Sequence, residues 1–139
     1  MSLRDVLVTP LNRIPTSGGD VLHAIKQSDA GFSGFGEAYF SWVSPGAVKA
    51  WKRHMRMTMN LVVPVGQVRF VFWSPDKQEL REEVIGAERY MRLTVSPEIW
   101  FGFQGLADAQ SLVLNIGSIA HDPDEVERLS QDQIQYSWK

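Results

Sequence analysis

Residues 51–66 read WKRHMRMTMNLVVPVG, and the phase of this stretch decides the fold. Trp51, Arg53, Met55, Met57, Met59, Leu61, Val63 and Val65 share one parity; Lys52, His54, Arg56, Thr58 and Asn60 share the other. Successive side chains of an extended chain point to opposite faces, so this reads as strand with an apolar packing side and a basic, polar side. The polar side faces water or a polar-lined lumen of the kind small barrels use to hold ligands. What His54 does there, as metal ligand, catalytic base or solvated residue, is the functional question of the chain.

The flanking sequence is punctuated in the same manner. PTSGGD (15–20), DAGFSGFG (29–36), SPGA (44–47), SPDK (74–77) and SPE (96–98) are turn signals. Runs rich in Val, Ile, Phe, Tyr, Trp and Thr predict strands over 20–26, 36–43, 60–65, 67–73, 90–95, 99–103 and 111–116. In HDPDEVERL, Asp122 is placed to cap a short C-terminal helix with Pro123 at its first position. Many short strands between Gly and Pro turns predict an all-β sandwich or barrel. Without an internal repeat or a linker, residues 1–139 are expected to form one domain.

Composition narrows the function classes. With 44% hydrophobic and 22% charged residues the chain is expected to fold rather than stay disordered. A net charge of −2 gives no reason to expect a nucleic-acid or membrane partner. The absence of cysteine excludes disulfides and thiolate metal sites. No run approaches the roughly 20 apolar residues of a membrane span, and MSLRDVLVTP lacks the core of a secretion signal, so a cytoplasmic location is expected. P-loops, nucleophile elbows, dinucleotide fingerprints and zinc spacings are missing.

Two stretches go further: SPGAVKAWKRHMRMTMNLVVPVGQVRFVF (44–72), and SPEIWFGFQGL with SLVLNIGSIAHDPDEVER (96–128). They carry a proline-glycine turn, a tryptophan-basic-x-His step, a Gly closing the next strand, a P-x-x-W-F-x-F strand and a terminal H-D-P-x-E. In that order they resemble the sugar-nucleotide epimerases of the cupin superfamily. The resemblance implies a cupin-type jelly-roll β-barrel, a homodimer with exchanged edge strands, and a sugar nucleotide bound inside the barrel. The implied reaction takes a proton from a carbon beside the 4-keto group of a dTDP-4-keto-6-deoxyhexose and returns it on the other face, with neither metal nor organic cofactor.

The family pattern is substituted at its working positions. Metal-dependent cupins place His-x-His five residues after a Gly; here Gly46 is followed by Lys52-Arg53-His54. A lysine ammonium has no lone pair to give, and one histidine cannot hold a divalent ion, so no metal site is expected. The family's histidine base falls on Lys52, its tyrosine acid on Asn115 and its phosphate-gripping arginine on Lys49. Two readings stay open. In one, His54 is the base, Lys52 stabilises the enolate, and His121 or Tyr90 supplies the acid; in the other, the pocket binds without catalysing. A keto-sugar isomerase is a third possibility, distinguishable only by product. The expected catalytic residues are Lys52, His54 and His121. Glu37, Lys49, Arg56, Asn60, Arg69 and Asn115 are expected to bind substrate, the basic ones because a diphosphate wants clustered Lys and Arg.

Overall fold

Alternation holds through most of the strands. Within Gln67–Ser74, Val68, Phe70 and Phe72 are fully buried on one side, while Arg69 and Trp73 project from the other. The computed structural model describes residues 2–139 and contains two five-stranded antiparallel sheets. The first runs β1 (Leu7–Pro10), β9 (Met91–Val95), β6 (Met59–Val65), β11 (Ser111–Gly117), β4 (Glu37–Val43). The second runs β12 (Val126–Arg128), β5 (Val48–His54), β10 (Trp100–Gly105), β7 (Gln67–Ser74), β8 (Glu79–Gly86). A small hairpin, β2 (Arg13–Ile14) with β3 (Val21–Leu22), lies outside both. From β4 onward the chain crosses between the sheets at almost every connection, which is the jelly-roll path. The two inner faces bury one core that includes Leu61, Val63, Val68, Phe70, Phe72, Leu93 and Val113.

Two turns show how the sequence enforces this path. In Ser44–Ala47 the amide of Ala47 bonds the Ser44 carbonyl at 3.0 Å, with Gly46 at φ +74. Proline then glycine is the pair that such a turn requires. Gly66 alone connects β6 to β7 at φ +86; a Cβ there would stand 2.2 Å from Ser111 Oγ. That hydroxyl accepts from the Gln67 amide and donates to the Gln67 carbonyl, so the corner is closed from the neighbouring strand.

The outer faces are treated differently. Across the second sheet lies the C-terminal segment, burying Trp51, Val71, Trp100 and Ile134 together with Leu129, Tyr136 and Trp138. On the first sheet, residues 24–31 cover β9 and β6: fully buried Arg92 donates to the carbonyls of Ala24 and Ala30, and Asn60 Nδ2 donates to the Gly31 carbonyl. The β4–β11 half stays bare, with Phe40 62% and Trp42 54% exposed.

Several expectations are corrected in detail. The stretch 51–65 is not continuous strand: β5 ends at His54 and β6 begins at Met59, so the parity resets across the break. The strand over 20–26 shrinks to Val21–Leu22, while β1 and the charge-rich β8 were not anticipated. Asp122 does cap, accepting from the Asp124 amide at 3.0 Å, but the helix is a single 3-10 turn, Pro123–Glu125. It stops because Val126, Glu127 and Arg128 pair with His54, Arg53 and Lys52 as a strand.

Candidate active site

A cavity of about 420 Å³ opens between the sheets, walled by residues from both. From the first sheet come Tyr39 and Ser41 of β4, Met59 and Leu61 of β6, and Val113 and Asn115 of β11. Each set shares a parity facing the second sheet. The second sheet supplies Lys49 to Lys52, Phe101 and Phe103, and the β12 edge adds Arg128. A bulge explains why β5 contributes consecutive residues: Lys52 pairs with Phe101 and Ala50 with Gly102, leaving Trp51 without an opposite.

Charge in this cavity has one sign. Lys49, Lys52 and Arg128 line it, and among the described residues no carboxylate does. Burial, then the positive charges of Arg128 and Lys49, hold the Lys52 ammonium below its ordinary pKa, although Glu125 pulls the other way. Its Nζ lies 5.9 Å from the Phe101 ring centre. Asn115 is 5% exposed; its Nδ2 donates to Tyr39 Oη at 3.1 Å, and its Oδ1 has no partner.

His54 is not in the lining. It follows Lys52 along β5, is 5% exposed, and lies stacked against Phe101 with ring centres 6.3 Å apart. Its Nδ1 bonds buried Glu125, whose other oxygen accepts from the Arg56 and Met57 amides, each at 3.0 Å. Burial favours the neutral imidazole and outweighs the raising effect of Glu125, so the His54 pKa is lowered. Burial alone would raise Glu125, but the imidazole and the two amides hold it below its ordinary value. A neutral histidine donating from Nδ1 to a carboxylate results, leaving a buried Nε2 without a partner.

Of the other expected site residues, Lys49, Lys52 and Asn115 do meet in the cavity. His121 is exposed and apart from it, held in the 118–123 connection that leads back to the sheet edge. Arg56 points out and pairs with Asp122. Asn60 faces the outer side, accepting from Arg92 Nε at 3.1 Å and Thr94 Oγ1 at 2.6 Å, because the parity resets before β6. Arg69 bonds Gln104 and the Lys139 carbonyl under the C-terminal segment. Glu37 is half-buried at the start of β4 and lines none of this cavity. Tyr90 donates to the His23 carbonyl at 2.7 Å, far along the first sheet. Tyr39 and Arg128 are lining residues outside the expected set. Tyr39 could have been found by phasing 36–43 from buried Val43; Arg128 could not, since its segment reads as helix. No group of three or more His, Cys, Asp or Glu stands together as a metal site among the described residues.

A two-sheet jelly roll with a cationic, aromatic-walled cavity between its sheets is the architecture of a cupin. A dTDP sugar isomerase from Desulfovibrio desulfuricans G20 is 39% identical, with a TM-score of 0.91, over 96% of this chain and 90% of that one. A probable low-salt glycan biosynthesis epimerase of Haloferax volcanii is 32% identical over 104 residues, 68% of this chain and 66% of the relative's length. The dTDP-4-dehydrorhamnose 3,5-epimerase of Bacillus anthracis, solved with TDP and pyrophosphate, shares the fold at 14% identity and a TM-score of 0.83, over 99% of this chain and 87% of that one. No family model matches the chain. The chain belongs to the sugar-nucleotide epimerase family of the cupin superfamily. Among the described residues no helix is long and apolar enough to cross a membrane.

Proposed function

We propose that the chain acts as a metal-independent epimerase on a dTDP-4-keto-6-deoxyhexose or a close relative, within deoxysugar or polysaccharide biosynthesis. The observation that carries this is the cavity whose charged lining is Lys49, Lys52 and Arg128 alone. Such a lining suits a diphosphate, and the aromatic walls suit a sugar or base ring. Lys52 is assigned as the base: it borders the cavity, and its burial among cations favours the free amine that can accept a proton. Once protonated, its ammonium stands beside the enolate it has made. His54, oriented by Glu125 behind Phe101, is assigned to positioning that wall.

Proton exchange tests the reading. With dTDP-4-keto-6-deoxyglucose in D2O, deuterium is expected at C3 or C5 by NMR, and Lys52→Ala is expected to slow it by about 10²- to 10⁴-fold. Neither binding nor exchange would remove this substrate; binding without exchange would make the protein a sugar-nucleotide-binding cupin. The Desulfovibrio neighbour is a dTDP sugar isomerase, a class that covers epimerases and keto-sugar isomerases alike, so a keto-sugar isomerase is the second reading. A product with its keto group moved would select it.

A homodimer fits the bare face of β4 and β11, where Phe40 and Trp42 stand beside half-buried Leu112 and Leu114. Among the described residues β4 pairs only with β11, so its other edge is free for a second copy. Glu37 starts that same strand and would come to the partner's site. The shared core supports one cupin domain over 1–139, and a nucleotide sugar as substrate fits a cytoplasmic enzyme.

A further inference from the structure

We infer that Tyr39 is the proton donor of this reaction, taking from β4 the part that the family resemblance gives to a tyrosine at position 115 of β11. The inference rests on the epimerase reading and adds the acid which that reading lacks. Asn115 cannot donate a proton at neutral pH, yet it faces the cavity where the family's acid would stand. Tyr39 is its direct cross-strand partner, and the two side chains meet: Asn115 Nδ2 donates to Tyr39 Oη at 3.1 Å. Because the phenol oxygen accepts in that bond, its own O–H remains free to donate. Asn115 Oδ1 is buried without a partner among the described residues, so the bond to Tyr39 is the side-chain hydrogen bond that fixes this amide beside the phenol.

Elimination points the same way. The chain has three tyrosines. Tyr90 is spent on the His23 carbonyl, and Tyr136 bonds Glu82 on the far side of the second sheet. Burial, with the Glu82 carboxylate, pushes the Tyr136 phenol up to about 12. His121 is exposed outside the cavity. Only Tyr39, 39% exposed, reaches the cavity, on the sheet opposite Lys52. An inversion needs base and acid on opposite faces of the sugar, and opposite sheets provide that.

The step balances without a further reactant. Lys52 takes the proton from the carbon beside C4, and the C–H electron pair becomes the enolate C=C as the carbonyl pair moves to O4. The carbonyl re-forms while the C=C pair takes the Tyr39 proton on the other face. The phenolate that remains faces the Asn115 amide and the three cations of the lining. Lys52 and Tyr39 then exchange their protons with water, which restores both.

Tyr39→Phe tests this, since it keeps the ring and the edge strand. In D2O with dTDP-4-keto-6-deoxyglucose, the variant is expected to bind dTDP as the parent does and to continue exchanging the C3 or C5 proton with retention. Its inverted product is expected to fall at least about hundredfold. Adding Asn115→Tyr to Tyr39→Phe returns a phenol to the cavity from β11 and is expected to recover part of the product. A parent that exchanges and inverts, with Tyr39→Phe doing both at the parent rate, overturns the assignment alone. Equal loss of exchange and inversion overturns it as well, because Tyr39 would then serve abstraction or folding. A parent that neither exchanges nor inverts brings down the epimerase reading and this assignment together.

Discussion

Trp51 and Trp42 sit on consecutive strands of one chain and meet opposite fates. Trp51 on β5 is 1% exposed, its indole donating to the Gln131 carbonyl and packed at 5.2 Å from Trp138. Trp42 on β4 is 54% exposed, beside Phe40 at 62%. Both belong to strands that supply residues to the same cavity. The difference is that the second sheet has residues 129–139 to lie across it, fixed by bonds from Gln104 and Arg69 to the last two carbonyls. Among the described residues no such segment lies across the outer face of β4 and β11, where Phe40 and Trp42 stay exposed. An apolar strand face thus says only that something must cover it; whether that cover is the chain itself or a second copy is decided by where the remaining polypeptide runs.

The sharpest way to break this comparison is to remove the covered side's anchor. Trp51→Ala is expected to cost about 3–5 kcal/mol in urea unfolding, the range for a fully buried large aromatic. A loss near zero would mean that the C-terminal segment is not held by this cluster. On the bare side, Phe40→Asp with Trp42→Asp is expected to change single-chain stability by only about 0.5 kcal/mol. Sedimentation should instead move from dimer to monomer, and a persistent dimer would place the interface elsewhere. The smallest effect concerns acid. His54 carries a lowered pKa and Glu125 a lowered one, so the unfolded chain binds more protons than the folded one below the ordinary histidine value of 6.5. Stability present at pH 7 to 8 should therefore fall as pH drops through 6.5 and further toward the carboxylate range. This pair ties the 3-10 turn before β12 to the end of β5, next to the covered side. Hydrogen exchange at pH 5.5 should consequently quicken at the amides of Trp51 and Leu129, which pair with each other, before those of β11.

Part of the site was readable before any coordinates. Lys49 and Lys52 were found from one basic run, and both reach the cavity. Arg56 and Asn60 belong to the same run and lie outside the cavity for one shared reason: alternation does not carry across residues 55–58, where the strand is interrupted. Arg69 shows a second reason, since a strand residue of correct type can face the outer side and hold a distant chain end. The mixed, charge-rich sequence of β8 hid a strand that pairs with β7 along its whole length.

What the sequence determined by itself was the class of structure. Period-two patterning, Pro-Gly corners and the lack of helical stripes are local properties, written within a few residues of one another, and they require sheets. It likewise ruled out a cysteine-built site and a His-x-His metal pair, because residue types are not altered by folding. Only the tertiary structure decided which side chains share a cavity. Arg128 joins Lys52 because a short segment pairs as a strand instead of continuing a helix, and Tyr39 joins Asn115 across a pairing 76 residues apart. Such contacts depend on register and on which face the rest of the chain covers, and neither is encoded in any local window.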